Sequence, residues 1–293
     1  MTEREARTPR AESANAADGE AAPGDAGARA ASERVTALVQ AAFGPATRLG
    51  GGHHSRVYGL RDGCVLKVYR HSNGLHRHEA DNMRAAGLSN WVLGVSELAD
   101  LELLLLRSFP GGPVTASNLP EALPSLSSFL GGLHRSTNGL PVDLGPVRLK
   151  LKHFHESLPQ LELRPLFDCI HSALAGNLLD SPASYCHLDL WSANVLYAAP
   201  GRVLVVDWAR AAFDDPARDI AILKTGTLDL LPPDAAWEAA KSVCGDAAVA
   251  ARLPAYLALQ TLHDLYWFQR HQPAGYPEAY ALKVPRALSD VSK

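Results

Sequence analysis

Four polar residues in the second half of the chain have types and spacings that could support chemistry together. His187 and Asp189 are separated by one residue, and Asn194 follows Asp189 by five positions. Asp207 comes directly after the apolar run 203–206. Phosphoryl transfer needs a group that orients the attacking hydroxyl and takes its proton, together with ligands for a cation that neutralises phosphate oxygens. Two carboxylates and an amide in this order predict a phosphoryl-transfer site.

Each of these side chains suits one part of that reaction. Asp189 can serve as the base, while Asn194 and Asp207 offer the hard oxygen ligands that Mg²⁺ prefers. Protein kinases have an Asp and an Asn at the same spacing, followed by a metal-binding Asp. A polar turn between two buried strands is the alternative. The strand-like segments 195–197 and 203–206, between Asn194 and Asp207, favour the catalytic interpretation.

A lysine within an apolar strand points to a nucleotide site. Lys67 lies between Leu66 and Val68, where an ammonium group is costly to bury without a partner. Glu79 lies in the predicted helix 76–86, at the spacing of an ion pair that positions a lysine on the α and β phosphates. The alternative is a solvent-facing lysine on an edge strand, with a solvated glutamate on the helix.

Glycines precede the lysine strand. In LGGGHHSRVY, residues 49–58, Gly51 and Gly52 lack the side chains that would keep backbone N–H groups away from phosphates. A plain hairpin turn explains these glycines equally well, because the segment matches neither a Walker motif nor a strict G-x-G-x-x-G. Gly51 and Gly52 are therefore candidates for nucleotide binding.

A Pro/Gly-rich break follows the apolar run 102–106 and predicts a hinge between two lobes. Ligands commonly bind where lobes meet, so the backbone of Arg107 to Phe109 is a candidate for holding the edge of an adenine. A buried strand followed by a turn describes the same residues.

The organisation predicted from these patterns is a tail followed by two lobes. Residues 1–32 lack aromatic side chains and predict a disordered tail, with Ser32 as the N-cap of the first helix. Residues 33–108 predict an N-lobe with a small antiparallel sheet. Residues 109–293 have mainly helical periodicity and predict a C-lobe that contains the catalytic and acceptor sites. The fold class is α+β.

Composition excludes several classes of function. The formal net charge is −3 with scattered cations, which argues against nucleic acid as a partner. No apolar run approaches the roughly 18–20 residues needed to span a membrane, and the amino terminus lacks a signal peptide's apolar core. The four cysteines are dispersed, as is typical of reduced thiols. We therefore expect a cytoplasmic protein, of undetermined oligomeric state.

Taken together, these residues resemble the aminoglycoside phosphotransferase and choline kinase-like family, which shares the protein kinase fold. The resemblance extends from about Val35 to the C-terminus. It rests on the Lys67 strand, Glu79 and four segments: GGGHHSRVY, LLLLRSFPGG, HLDLWSANVLY and VLVVDWARAAFDDPARDIA. It implies a bilobal protein kinase-like fold with a small antiparallel-sheet N-lobe and a larger, mainly helical C-lobe. It also implies ATP bound between the lobes, with Mg²⁺.

The resemblance implies roles for individual residues. Asp189 would be the catalytic base, Asn194 and Asp207 would bind Mg²⁺, and Lys67 would contact phosphates while Glu79 orients it. Asp219 would brace the catalytic loop, and Ser55 stands where the glycine loop of the family often has Asn. The sequence departs from the family at HLDLW, residues 187–191, where H-G-D-L-H is usual, and at Ala209, where an acid commonly follows D-W.

We therefore predict an ATP-dependent O-phosphotransferase that acts on a hydroxylated small molecule. The acceptor that we favour is an antibiotic or related natural product of aminoglycoside, nucleoside or macrolide type. A protein kinase is disfavoured because Trp208 replaces the Phe-Gly that would follow Asp207, and because the path to Asp219 leaves little room for an activation segment. The carboxylates after the catalytic stretch are few and interspersed with cations, which suits an acceptor less cationic than an aminoglycoside.

Two alternatives remain open. The first is a metabolic kinase for choline, homoserine or a sugar. The second is a non-catalytic nucleotide-binding scaffold, against which the presence of every expected catalytic group argues.

Overall fold

The structure of the protein, a computed structural model, describes residues 26–51, 55–69 and 73–293. The chain divides into two compact units, residues 1–108 and residues 109–293. Most of the predicted tail lies outside the described residues. Its last part does not, because the first helix begins at Ala26 and includes residues 26–32. The reason is that alanine and arginine, which favour helix, predominate in this stretch, so the helix extends beyond the predicted N-cap.

The described part of the first unit is a five-stranded antiparallel sheet with two helices. The strand order is β1-β2-β3-β5-β4. The elements are α1 (Ala26–Phe43), β1 (Ala46–Gly51), β2 (Ser55–Leu60), β3 (Cys64–Tyr69), α2 (Leu75–Ala85), β4 (Val92–Leu98) and β5 (Leu101–Arg107). A 3₁₀ turn at Ser89–Trp91 directly precedes β4.

The alternating pattern of β3 separates the two faces of this sheet. Leu66 and Val68 pack with Val39 of α1 on one face, whereas Tyr69 packs with Ala80 of α2 on the other. Because successive strand residues point to opposite faces, Lys67 shares the face that α2 covers. β3 pairs with both β2 and β5. The alternative of an edge-strand lysine is therefore wrong.

The second unit is mainly helical, with two small three-stranded sheets in the orders β10-β9-β6 and β11-β8-β7. Its strands are β6 (Gly112–Pro113), β7 (Thr137–Pro141), β8 (Pro182–Cys186), β9 (Val195–Ala198), β10 (Arg202–Val205) and β11 (Ala212–Asp214). Its helices are α3 (Leu119–Leu133), α4 (Gly145–Ser157), α5 (Arg164–Ala175), α6 (Pro216–Gly226), α7 (Pro233–Cys244), α8 (Ala247–His271) and α9 (Tyr276–Val291).

Two antiparallel pairings position the polar residues of the second unit. β8 pairs with β11, and Cys186 at its end lies opposite Ala212. β9 and β10 form a hairpin in which Val195 lies opposite Val205. The segment 187–194, called the catalytic loop after the role that the resemblance implies for Asp189, therefore leaves one sheet and enters the other.

A buried ion pair joins the helices beneath this loop. Asp215 caps the N-terminus of α6 by accepting from the N–H of Ala217 at 2.9 Å. It also accepts from Arg252 of α8, with 2.7 Å between Nε and Oδ2. α8 forms much of the core of the unit, with Leu253, Leu262 and Leu265 fully buried.

Within the described chain, no helix has the length and apolar character that crossing a membrane would require.

Candidate active site

The catalytic loop is held by hydrogen bonds between its own residues. Asn194 Nδ2 donates to the backbone oxygen of Asp189 at 2.9 Å and to its Oδ2 at 3.0 Å. The N–H of Trp191 donates to the same backbone oxygen at 2.9 Å. The side chain of Asp189 is 19% exposed. The loop thus presents a half-buried carboxylate in a fixed orientation.

His187 supports the loop instead of acting as a base. Its Nδ1 accepts from the N–H of Asp189 at 3.2 Å, and its Nε2 lies 3.1 Å from the carbonyl oxygen of Val206. Since a carbonyl can only accept, the ring carries its proton on Nε2. The imidazole is fully buried and packs edge-on against Trp208, with 4.5 Å between ring centroids.

Asp219 braces the start of the loop. Its carboxylate accepts from the N–H of Leu188 at 2.7 Å, from the N–H of His187 at 3.1 Å and from His134 Nε2 at 2.9 Å. Burial acts to raise the pKa of Asp219, but the hydrogen bond and charge of His134, together with the hydrogen bond from the N–H of Leu188, outweigh it and lower the pKa. Leu188 needs such support because it has a φ of 61°, a left-handed conformation that is strained for leucine.

Asp207 follows β10 in the left-handed conformation, with a φ of 66°. The next residue, Trp208, is fully buried, and its Nε1 donates to the backbone oxygen of Val205 at 2.8 Å. The N–H of Val206 donates to the backbone oxygen of Asn194 at 2.9 Å, which brings the segment of Asp207 beside the loop.

The side-chain oxygens of Asp207 and Asn194 suit a magnesium ion. Asp207 provides a carboxylate and Asn194 an amide oxygen, the hard donors that Mg²⁺ binds alongside water and phosphate. Both side-chain hydrogen bonds of Asn194 use Nδ2, so Oδ1 is the atom that faces away from Asp189.

In the first unit, Lys67 and Glu79 form a buried ion pair. Lys67 Nζ lies 2.7 Å from Glu79 Oε2 and 3.0 Å from Oε1. The sequence predicted this pairing but not the second donor to Glu79, the hydroxyl of Tyr69 at 2.5 Å. Lys67 is 6% exposed and Glu79 is 1% exposed. Two donors therefore hold the carboxylate that fixes the lysine.

The remaining nucleotide-binding candidates lie in both units. Gly51 ends β1 with a φ of 152°, and a Cβ there would lie 2.6 Å from the backbone oxygen of Ser55. Ser55 is buried at the start of β2, while Gly52 lies outside the described residues. Arg107 ends β5, and its Nε donates to the backbone oxygen of Asn90 at 3.3 Å. Phe109 is half-buried at the start of the second unit.

A cavity of about 280 Å³ lies within the second unit beside Asp189. Three cationic side chains, one imidazole, one carboxylate and one amide supply its polar lining. The lining residues are Lys150, Leu188, Asp189, Trp191, Arg210, Arg218, Ile222, Gln260 and His263. We call it the acceptor cavity, after the role that we propose for it.

The sequence of the chain matches the profile of the phosphotransferase enzyme family, APH, over residues 45–257. The chain belongs to this family. The resemblance stated from the motifs is therefore confirmed, and the protein is a small-molecule phosphotransferase by family. No curated protein matches this phosphotransferase in sequence.

Solved structures share the fold of the phosphotransferase. A choline/ethanolamine kinase family protein from Mesorhizobium loti is 19% identical, with a TM-score of 0.62 over 89% of this chain and 98% of that chain. The GDP complex of aminoglycoside 2'-phosphotransferase-IIIa is 14% identical, with a TM-score of 0.66 over 88% and 99%. A thermostable mutant of aminoglycoside phosphotransferase APH(4)-Ia, in a ternary complex with AMP-PNP and hygromycin B, is 19% identical, with a TM-score of 0.65 over 88% and 98%. The predicted α+β kinase-like fold is confirmed.

The basic residues of the acceptor cavity are not marked by any sequence motif of the phosphotransferase. Lys150 lies on α4, Arg210 follows Asp207 by three positions, and Arg218 lies in the first turn of α6. No motif joins residues so far apart in sequence. Only Arg210 could have been assigned to the site from the sequence, because it lies close to Asp207 along the chain.

Proposed function

We propose that the protein transfers the γ-phosphate of ATP to a hydroxyl group of a small molecule, with Asp189 as the catalytic base. The observation that carries this proposal is the position of Asp189, whose carboxylate is oriented by Asn194 at 3.0 Å and lines a cavity large enough for a small molecule. A fixed carboxylate beside a cavity can orient a hydroxyl and accept its proton.

In the proposed reaction, the acceptor oxygen forms a bond to the γ-phosphorus as the bond between that phosphorus and the β–γ bridging oxygen breaks. The hydroxyl proton passes to Asp189 and then to solvent, and ADP leaves with the bridging oxygen. Asp189 acts mainly by orientation, since there is little covalent chemistry for a protein to perform in phosphoryl transfer.

Asn194 Oδ1 and the Asp207 carboxylate would hold Mg²⁺, which supplies neutralisation of phosphate charge when bound. Lys67 would contact the α and β phosphates, because its ammonium is fixed by Glu79 at 2.7 Å. Gly51, Gly52 and Ser55 would approach the phosphates, and the backbone of Arg107 to Phe109 would hold the adenine edge. AMP-PNP in the APH(4)-Ia complex supports an adenine nucleotide.

The acceptor we propose is a natural product, such as an antibiotic, or a small metabolite. Between Asp207 and Asp219 the chain is occupied by a 3₁₀ turn, β11 and the start of α6, which leaves no long activation segment. The hygromycin B of the APH(4)-Ia complex supports a hydroxylated acceptor. Three cations around the cavity weigh against a polycationic aminoglycoside, because like charges repel.

We place the reaction in the cytoplasm. All four cysteines are unpaired thiols, as expected in a reducing compartment. Burial raises the pKa of Cys186 well above its usual range, which keeps this thiol protonated and inert.

A coupled assay of ADP release across antibiotics, nucleosides, amino alcohols, sugars and sugar acids tests the proposal. We expect release that depends on one acceptor class and on Mg²⁺, with a phosphate ester visible by ³¹P NMR. A protein that binds Mg-ATP but shows no acceptor-dependent release would instead be a nucleotide-binding scaffold.

A further inference from the structure

The polar lining of the acceptor cavity is predominantly basic. Lys150, Arg210 and Arg218 face the cavity, against Asp189 as the single carboxylate in the lining. Gln260 does not add negative charge, and its Nε2 is already bonded to Asp264 Oδ1 at 2.7 Å. A cavity with this balance of charge attracts anions and repels cations.

Lys150 is the most informative of these cations. Its side chain is half-buried on α4 and lines the cavity. Within residues 26–51, 55–69 and 73–293, no carboxylate oxygen lies within 4.0 Å of its ammonium group, and that group makes no hydrogen bond. Partly buried ammonium groups without partners are unfavourable in proteins. An anion that entered the cavity would supply the missing partner.

The two arginines differ from Lys150 in having carboxylates nearby. Arg218 forms an ion pair with Asp214, and both side chains are less than one fifth exposed. Arg210 Nη1 lies 3.8 Å from Asp189 Oδ1, beyond normal hydrogen-bonding distance, and its side chain is 56% exposed. Arg210 can therefore turn towards a ligand without breaking a strong bond.

The other walls are apolar and fixed. Trp191 packs so closely on Gly226 that a Cβ there would lie 2.9 Å from the indole ring. The ammonium group of Lys283 lies 5.3 Å from the centre of the same ring, while Leu188 and Ile222 add aliphatic surface. The cavity thus combines a basic side with a flat apolar wall, which suits a ring or short carbon skeleton that carries an acid group.

We propose that the acceptor is an anionic alcohol, whose carboxylate or phosphate group binds Lys150 and Arg210 while its hydroxyl reaches Asp189. The claim that the bound anion is the phosphate acceptor rests on the proposed function. The claim that Lys150 and Arg210 bind an anion does not. Lys150 and Arg210 line the same cavity as Asp189, and Arg210 Nη1 lies 3.8 Å from Asp189 Oδ1, so an acid group bound by these cations lies within a short carbon skeleton of the base.

A competing role for the same cations is to bind the nucleotide phosphates. The two roles differ in kinetics. If the cations bind the acceptor, Lys150→Met should raise the KM for the acceptor. If they bind the nucleotide, the same substitution should raise the KM for ATP. Methionine matches the length of the lysine stem without its charge. Lys152→Met is the matched control, because Lys152 is exposed on the same helix and absent from the cavity lining.

The kinetic test uses pairs of acceptors that differ in one acid group, such as glucose with glucuronate and glycerol with glycerate or glycerol 3-phosphate. We expect the acidic member to be preferred, and Lys150→Met to raise its KM roughly 10- to 100-fold, as for loss of a hydrogen bond to a charged group. The value of kcat and the KM for ATP should change little. Preference for the neutral member of each pair, or a rise confined to the KM for ATP, would overturn the inference.

A binding test separates this inference from the proposed function. The full-length protein is treated with a lysine-acylating reagent, and modification of Lys150 and Lys152 is followed by mass spectrometry. We expect inorganic phosphate, sulfate or glucuronate to protect Lys150 but not Lys152, relative to chloride at equal ionic strength. Protection without any transfer would contradict the proposed function alone. Transfer to a neutral acceptor, without protection by any of these anions, would contradict the inference alone.

Discussion

Asn194 holds Asp189 at two points, through hydrogen bonds from Nδ2 to the backbone oxygen at 2.9 Å and to Oδ2 at 3.0 Å. The same side chain has its amide oxygen on the other side, where the proposed Mg²⁺ site lies. In the proposed reaction, this one residue would couple the orientation of the base to the position of the metal.

Asn194→Ala should lower kcat by about 100-fold or more, because misplacement of a catalytic group by about 1 Å costs that much. The Mg²⁺ concentration for half-maximal rate should also rise. Steady-state kinetics over a range of Mg²⁺ concentrations measures both. A drop in kcat with an unchanged Mg²⁺ dependence would show that Asn194 only positions Asp189.

Glu79→Gln should raise the KM for ATP and lower thermal stability. Removal of one partner from a buried ion pair typically costs about 3–5 kcal/mol, and Lys67 and Glu79 are both almost fully buried. Glu97→Gln provides the control, since Glu97 pairs with Arg77 at an exposed site, where such pairs contribute about 0–1 kcal/mol. Similar losses in the two variants would refute a special role for the buried pair.

Asp219→Asn should lower both stability and kcat, because one amide cannot accept the three hydrogen bonds that the carboxylate accepts. The pKa of Asp219 is lowered in the folded protein. Its contribution to stability is therefore present above the ordinary aspartate pKa and lost as pH falls through the lowered folded pKa. Chemical denaturation at several pH values should show that the difference between wild type and variant shrinks in acid. A constant difference would contradict this.

For an anionic acceptor, kcat/KM should fall as pH rises above about 8. Burial of Lys150, with the charges of Arg218 and Arg210 and against the opposing charge of Asp214, lowers its pKa from 10.5 to about 8. Deprotonation removes the charge that binds the anion, so affinity is present below this pKa and lost above it. His263 and Asp189 are the other titratable side chains in the cavity lining. The fall should be absent in Lys150→Met, and its persistence there would assign it to another group.

The sequence allowed the ion pair between Lys67 and Glu79 to be predicted because its geometry is local to one sheet and one helix. Lys67 lies at the middle of an apolar strand and Glu79 on the helix that follows, so strand alternation and spacing are enough to bring them together. The hydrogen bond from Tyr69 to Glu79 was not predicted, because a tyrosine in an apolar strand is usually interpreted as part of the hydrophobic core.

The acceptor cavity could not be predicted because its residues lie far apart in the sequence. Its residues come from α4, the catalytic loop, the 3₁₀ turn after Asp207, α6 and α8, and only the packing of these elements brings Lys150 near Arg210 and Arg218. The mainly helical periodicity of residues 109–293 was also not enough to predict the bounds of the helices. α9 contains Pro277 in its first turn, where proline is tolerated, and Pro285 in its interior. α3 ends at Leu133, and the next residue, His134, bonds Asp219.

The measurement that tests the central claim most directly compares wild type with Asp189→Asn, both for phosphate transfer from ATP and for Mg-ATP affinity by calorimetry. The substitution preserves shape but removes the basic carboxylate that lines the acceptor cavity. We expect kcat to fall by about 10²–10⁴-fold, the range for loss of a general base, while Mg-ATP affinity stays within about threefold, a change of less than 1 kcal/mol. Transfer near the wild-type rate in Asp189→Asn would contradict the account.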